Sequence, residues 1–479
     1  MIEDRMLSHD FDEEALGFDA PPERPRVLSA GEKIGYGLVG LGAFFLIASL
    51  TTGFLLGSWG GFLLSFGPLS IGAIVAWSSW YGARSAGIKN DGNFFRGSQN
   101  RGVVGWILGV GITGFYVVLY FYDSWQAKGL PALLEGPKTL VNPLSELITG
   151  QSADRWFLYG TLYTFAVVVF GVRMIWKYRH VRYQVVRTVS VMFFQLGFAF
   201  LIPGLLKLFH QPEFYFSYFW PLKPEYLWPG SLHGLMSHPG GLGVFMITWG
   251  AILSLVGTPL LTYFFGKRWY CSWVCGCGGL AETLGDPWRQ QSVKSRWAWV
   301  VERWLIHAVL VLVVVTTAVL WINSATEGRV LGSASFGFAK FYGLWIGAVF
   351  SGVVGVGFYP LLGSRVWCRF GCPQAAILGI FQRFFSRFRI TTNGSQCMSC
   401  GNCSTYCEMG IDVRAYAQRG ENIVRASCVG CGVCSAVCPR GVLKLENGGT
   451  HGDRYEGAEN PISVFLHDVA TPPRQGHNT

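Results

Sequence analysis

The sequence predicts a polytopic α-helical membrane protein of about eight spans that ends in a small α+β domain. Three observations carry the prediction. The chain is 51% hydrophobic and only 14% charged, about half the charged share of an ordinary soluble domain. Lysine and arginine gather in alternate loops between apolar stretches. None of the 13 cysteines precedes residue 271, and most of them fall in two consecutive runs near the C-terminus.

The N-terminal segment 1–33 is acidic, contains Pro21, Pro22 and Pro25, and lacks an apolar core, so it reads as a cytoplasmic tail and not a signal peptide. Segment 34–390 is the membrane domain. Stretches of roughly 20 apolar residues, the length that crosses a bilayer, run near 34–56, 62–80, 103–122, 156–176, 188–208, 242–265, 301–321 and 341–362. Pro68 interrupts the second. Gly37, Gly40 and Gly42 in the first suit close helix packing.

Orientation follows from the positive-inside rule. Arg84, Lys89, Arg96 and Arg101 lie between spans two and three, and Arg173, Lys177, Arg179, Arg182 and Arg187 at the junction of four and five. Lys267, Arg268, Arg289, Lys294 and Arg296 lie between six and seven, and Arg365, Arg369, Arg383, Arg387 and Arg389 follow eight. The intervening loops 123–155 and 209–241 are poor in positive charge. This alternation places both termini and every cysteine motif in the cytoplasm, in the inner membrane of a bacterium. Topology then accounts for the net charge of +10, and no nucleic-acid partner is needed.

Loop 209–241 holds Phe214, Tyr215, Phe216, Tyr218, Phe219, Trp220, Tyr226 and Trp228 beside His210, His233 and His238. Such aromatics usually anchor a protein at the headgroups, with a quinol pocket or a docking surface as the sharper alternative. His307 falls within span seven, near Glu302 and Arg303. The spans hold almost no Asp, Glu or Lys at depth, which disfavours ion-coupled transport. No dinucleotide-binding or phosphate-binding glycine motif occurs.

Two matched cysteine pairs stand where basic loops meet the membrane: Cys271-x3-Cys275, followed by Gly276-Cys277, and Cys368-x3-Cys372-Pro373. The spacing sets two thiols on one face of a helical turn. Together the pairs offer four thiolates, for a third iron–sulfur cluster or for a redox-active or metal-handling thiol set; buried cysteines of ordinary packing are the plain alternative.

Segment 391–446 contains Cys397-x2-Cys400-x2-Cys403-x3-Cys407 and Cys428-x2-Cys431-x2-Cys434-x3-Cys438-Pro439. A cubane needs four converging thiolates, and each tight run delivers three. The fourth therefore comes from the other run, as in a two-cluster bacterial ferredoxin-like domain. One [4Fe–4S] cluster takes Cys397, Cys400, Cys403 and Cys438, and the other Cys428, Cys431, Cys434 and Cys407. Disulfides suit an oxidising compartment, and zinc sites repeat pairs and not triplets with a trailing fourth. The remainder, 447–479, is polar, rich in Gly and Pro, and reads as a loosely ordered tail.

From Tyr270 to Leu445 the chain resembles the membrane polyferredoxins, through Cys271-Ser-Trp-Val-Cys275, Trp367-Cys368-Arg-Phe-Gly-Cys372-Pro373 and the two C-terminal runs. That family includes the quinol-oxidising accessory subunit of periplasmic nitrate reductase, the membrane regulator of nitrous oxide reductase, and an accessory protein for haem–copper oxidase assembly. The resemblance implies an electron-transfer subunit of an oxidoreductase, of quinol dehydrogenase type, that links a cytoplasmic or quinone donor to respiratory partners. The alternatives are a copper reduction or delivery factor, in which the span-end pairs bind metal, and a redox-sensing regulator. Two residues depart from the pattern: Gly276 and Glu408 stand where the family has proline.

Overall fold

The computed structural model describes residues 28–82, 102–129 and 131–447. Most of both tails and the loop with Arg84, Lys89, Arg96 and Arg101 lie outside the described residues.

All eight expected spans form helices: α1 (Ala30–Thr52), α2 (Trp59–Gly82), α3 (Val103–Gln126), then α5 (Arg155–Lys177), α6 (Arg182–Leu208), α7 (Leu242–Phe265), α8 (Arg296–Ala325) and α9 (Ala334–Val354). An amphipathic helix, α4 (Glu135–Thr149), sits between the third and fourth spans and buries Leu140, Val141 and Ile148. Local chemistry sets the ends. Ser29 and Glu32 form a reciprocal capping box at the start of α1, and Gly53 closes it with a left-handed φ of 73°. Pro68 does not interrupt α2, which runs through it. A membrane helix tolerates proline where neighbouring groups re-satisfy the freed backbone.

Helices α1 and α2 pack through glycine, but not through all the expected ones. A Cβ at Gly42 would stand 2.7 Å from the Leu69 amide nitrogen, and one at Gly35 2.6 Å from that of Ala76, whereas Gly37 and Gly40 face nothing within 4 Å. Gly35 and Gly42 are one heptad apart and share a helix face; Gly37 and Gly40 lie on another.

The aromatic loop after α6 packs against the helices. Residues 214–228 fold back into the bundle, where the Trp249 indole donates to the Phe216 carbonyl (3.0 Å), Ser254 Oγ to Trp220 (2.9 Å), Tyr270 OH to Ser217 (2.8 Å) and Trp321 to Leu227 (2.9 Å). Irregular backbone packed against helices is stable when protein groups satisfy its carbonyls in this way. His307, on α8, places Nδ1 2.6 Å from the Arg303 carbonyl of its own helix, a locally satisfied histidine.

Helix α10 (Pro373–Phe384) leads into the C-terminal module, whose sheet is β1 (Phe388–Thr392) antiparallel to β2 (Leu443–Asn447), with Ile390 opposite Leu445. Every residue of β1 is buried. Phe388, Ile390, Ile411, Ile423, Val429 and Leu443 form one continuous core with Cys271, Cys275, Cys368 and Cys372. The module is fused to the membrane domain, on the face that carries the basic loops.

Candidate iron–sulfur centres

The module contains two cavities, and the cysteines divide between them in the crossed pattern. One is lined by Cys397, Cys400, Cys403 and Cys438; the other by Cys407, Cys428, Cys431 and Cys434. Each run contributes its triplet to one cavity and its trailing cysteine to the other. All 13 thiols are free.

The two halves repeat their backbone turns. Left-handed φ values recur at Ser399 (59°) and Gly430 (62°), Gly401 (79°) and Gly432 (75°), and Gly410 (66°) and Gly441 (62°). The first pair differs in residue type for a reason outside the loop. A Cβ on Gly430 would lie 2.6 Å from Arg268 Cβ and 3.1 Å from the Phe388 ring, and one on Gly432 2.9 Å from the Tyr183 ring. The second loop presses against the membrane domain, so its backbone must come close. Four of its carbonyls accept from that domain: Gly430 from Tyr183 OH (2.8 Å), Cys431 from Gln184 (2.8 Å), Val429 from Ser272 (2.8 Å) and Cys428 from Gln382 (2.7 Å).

The span-end pairs adopt one shared turn. Cys271 ends the short helix Arg268–Cys271, and Cys368 lies in the π-helical turn Trp367–Gly371. In each motif the second cysteine donates its amide five residues back, Cys275 to Tyr270 (2.8 Å) and Cys372 to Trp367 (2.9 Å), and caps the next helix. The thiols are thus not stacked on one helical face, as the spacing suggested; a turn separates them. All four are 5–6% exposed and belong to one cluster of side chains. The Ala375 amide points at Cys372 Sγ (3.4 Å) at the start of α10, the position where a helix favours a thiolate.

Gly276 replaces the expected proline because the space is taken: a Cβ there would lie 2.5 Å from both Gln195 Oε1 and Tyr218 OH. Gln195 belongs to the π-helical stretch Phe194–Leu201 of α6, and Tyr218 to the re-entrant loop. Cys277 lies beside Cys275, within electrostatic reach of Tyr218, Tyr270 and Tyr359.

Glu408, the second departure, is 1% exposed. It receives Arg289 Nη1 at 2.8 Å and pairs with Arg365 Nη2 at 3.0 Å. Burial alone would raise its carboxyl; Arg289 and Arg365 hold it below its ordinary value. Arg365 also pairs with Glu282, and its Nη1 stands 3.6 Å from Cys368 Sγ and 3.3 Å from the Cys271 carbonyl. Asp286 accepts from Arg173 (3.0 Å) and Lys177 (2.8 Å) and pairs with Arg289 (3.2 Å), while Arg187 pairs with Glu282.

The loop-charge reading missed this network. Arg173, Lys177, Arg187, Arg289 and Arg365 are buried structural cations, and their carboxylate partners are Glu282, Asp286 and Glu408. A cubane held by four thiolates is anionic, so the donor sets and the charge around them fit iron–sulfur clusters. Burial pushes the Cys428 thiol up to about 11 and those of Cys271, Cys403 and Cys431 to about 12, so iron binding must displace protons.

A family model described as a 4Fe–4S binding domain matches residues 248–296 and 344–391, and a 4Fe–4S dicluster domain matches 396–443. The first covers both span-end pairs and the second both C-terminal runs. YccM of Escherichia coli (strain K12), a protein named for a tentative role in electron transport, is 27% identical over 173 residues, 34% of this chain and 47% of that protein. The methylamine utilization ferredoxin-type protein MauN of Methylobacillus flagellatus is 27% identical over 166 residues, 32% of this chain and 54% of that protein. The chain thus spans about half the length of the curated relatives it matches. No solved structure matches it. The two iron–sulfur domains, the electron-transport and ferredoxin-type relatives and the eight apolar helices together fit a membrane polyferredoxin family, the one its cysteine motifs resemble.

Proposed function

We propose that the protein relays electrons between a cytoplasmic donor or the quinone pool and a respiratory partner. Two ferredoxin clusters form the cytoplasmic end, and a third [4Fe–4S] cluster on Cys271, Cys275, Cys368 and Cys372 connects them to the membrane. One observation carries the reading: the four span-end thiols gather in the same buried core as the cavity of Cys407, Cys428, Cys431 and Cys434. Redox groups packed into one core with no solvent layer between them can pass electrons directly. The match of a 4Fe–4S binding domain to both span-end segments supports the third site. Delivery of a copper ion would require thiols accessible to a partner, and these are almost wholly enclosed.

Iron and acid-labile sulfide analysis of the purified protein tests the count: about twelve irons are expected, on four per cubane. Cys368→Ser with Cys372→Ser should lower the count to about eight and leave the ferredoxin clusters in place. Mixing the reconstituted protein with a quinol or a low-potential ferredoxin donor should bleach the clusters; if no such donor reduces them, the relay is wrong.

A further inference from the structure

The turn repeats at 399/430, 401/432 and 410/441 put Glu408 at the position that Pro439 occupies in the other half. Proline costs nothing there, whereas a buried carboxylate is expensive unless paired. The pairing made is specific. Arg365 Nη2 lies 3.0 Å from Glu408, the residue next to Cys407, and Arg365 Nη1 lies 3.6 Å from Cys368 Sγ. One rigid guanidinium therefore faces both a ferredoxin ligand loop and a span-end thiol. Both groups are fully buried, where a charge a few ångströms away acts with little screening.

We infer that Glu408 and Arg365 form an electrostatic bridge that sets the reduction potentials of the two neighbouring redox sites together. The inference rests on the reading that the span-end thiols hold a redox group. Cluster potentials respond to nearby charge and to hydrogen bonds at the sulfurs. Arg365 favours the more negative, reduced state at both sites, and Glu408 offsets it. The two are positioning residues, acting on the sites without being ligands.

The test is an EPR-monitored redox titration of the full-length protein in lipid nanodiscs, with iron counted for each variant. Glu408→Gln removes one negative charge beside Arg365 and Arg289, which keep Glu282 and Asp286, so both midpoint potentials should rise. Arg365→Gln should lower both, and the double variant should return towards wild type. The cluster on Cys397, Cys400, Cys403 and Cys438 should move less than either site, since Glu408 lines the cavity of Cys407, Cys428, Cys431 and Cys434 and not this one. Glu408→Asp keeps the charge and should keep wild-type potentials; if it moves them as Glu408→Gln does, packing is responsible and the bridge is wrong. A shift at the ferredoxin cluster alone, or at neither site, also overturns it. Iron counting separates this failure from that of the relay: about eight irons in wild type removes the third cluster, and the bridge with it, whereas about twelve irons with unmoved potentials removes the bridge alone.

Discussion

At the scale of single residues, the decisive group is one that no motif marks. Asp286 joins Arg173, Lys177 and Arg289 around one buried carboxylate, and the Lys177 contact spans 109 positions of sequence. Burial would raise this carboxyl, but the three cations hold it well below the ordinary carboxylate range. Asp286→Asn removes the carboxylate that Arg173, Lys177 and Arg289 share and should destabilise the protein by about 3–5 kcal/mol, read as a lowered unfolding temperature in detergent. The sign of the pH dependence follows from the depressed folded value. Stability from Asp286 is complete above its unfolded pKa of about 3.9 and is lost only as pH falls through the lower folded value. The gap between wild type and Asp286→Asn should stay constant from pH 8 to pH 5 and close only in stronger acid; closure near neutrality would refute the assignment. The sequence hid this group because charge counting marks which side of the membrane a loop occupies and says nothing of whom its arginines meet. The grouping of the eight C-terminal thiols at two cavities was legible because four thiols that converge on one point impose their spacing on the chain.

At the scale of elements, the eight spans could be read from apolar length alone, since a bilayer dictates that length whatever the neighbours. Turns and packing faces were less legible, because they depend on what another element brings. Gly276 and Glu408 broke the expected pattern, and each departure is explained by a distant partner: Gln195 and Tyr218 for the first, Arg289 and Arg365 for the second. The same dependence separates Ser399 from Gly430, which share a left-handed backbone but not an environment. Gly430→Ala should cost about 1–2 kcal/mol for the left-handed conformation and more for overlap with Arg268 and Phe388. Ser399→Gly should be neutral or slightly stabilising. The rate of iron loss to a chelator, followed by bleaching, compares them; equal rates for Gly430→Ala and wild type would contradict the docking of this loop.

At the scale of the whole molecule, the sequence suggests a short module held together by its metal, because so few residues bury little apolar surface. The structure adds a second requirement. The module's apolar residues share a core with the span ends, and Tyr183, Gln184, Ser272 and Gln382 supply the partners of four carbonyls in the second ligand loop. At about 1 kcal/mol for each hydrogen bond, and with β1 stripped of the surface that buries it, separation costs the module a large share of what a typical small domain holds in reserve. Segment 388–447 expressed alone and supplied with iron and sulfide should therefore fail to hold both clusters. The loss should fall first on the cavity of Cys407, Cys428, Cys431 and Cys434, whose ligand loop loses its four partners on the membrane domain, and only then on that of Cys397, Cys400, Cys403 and Cys438. Iron content and protease resistance measure this. A soluble, resistant fragment with about eight irons would show that the ferredoxin unit is autonomous and merely tethered; a fragment with four or fewer would show that the membrane helices complete it.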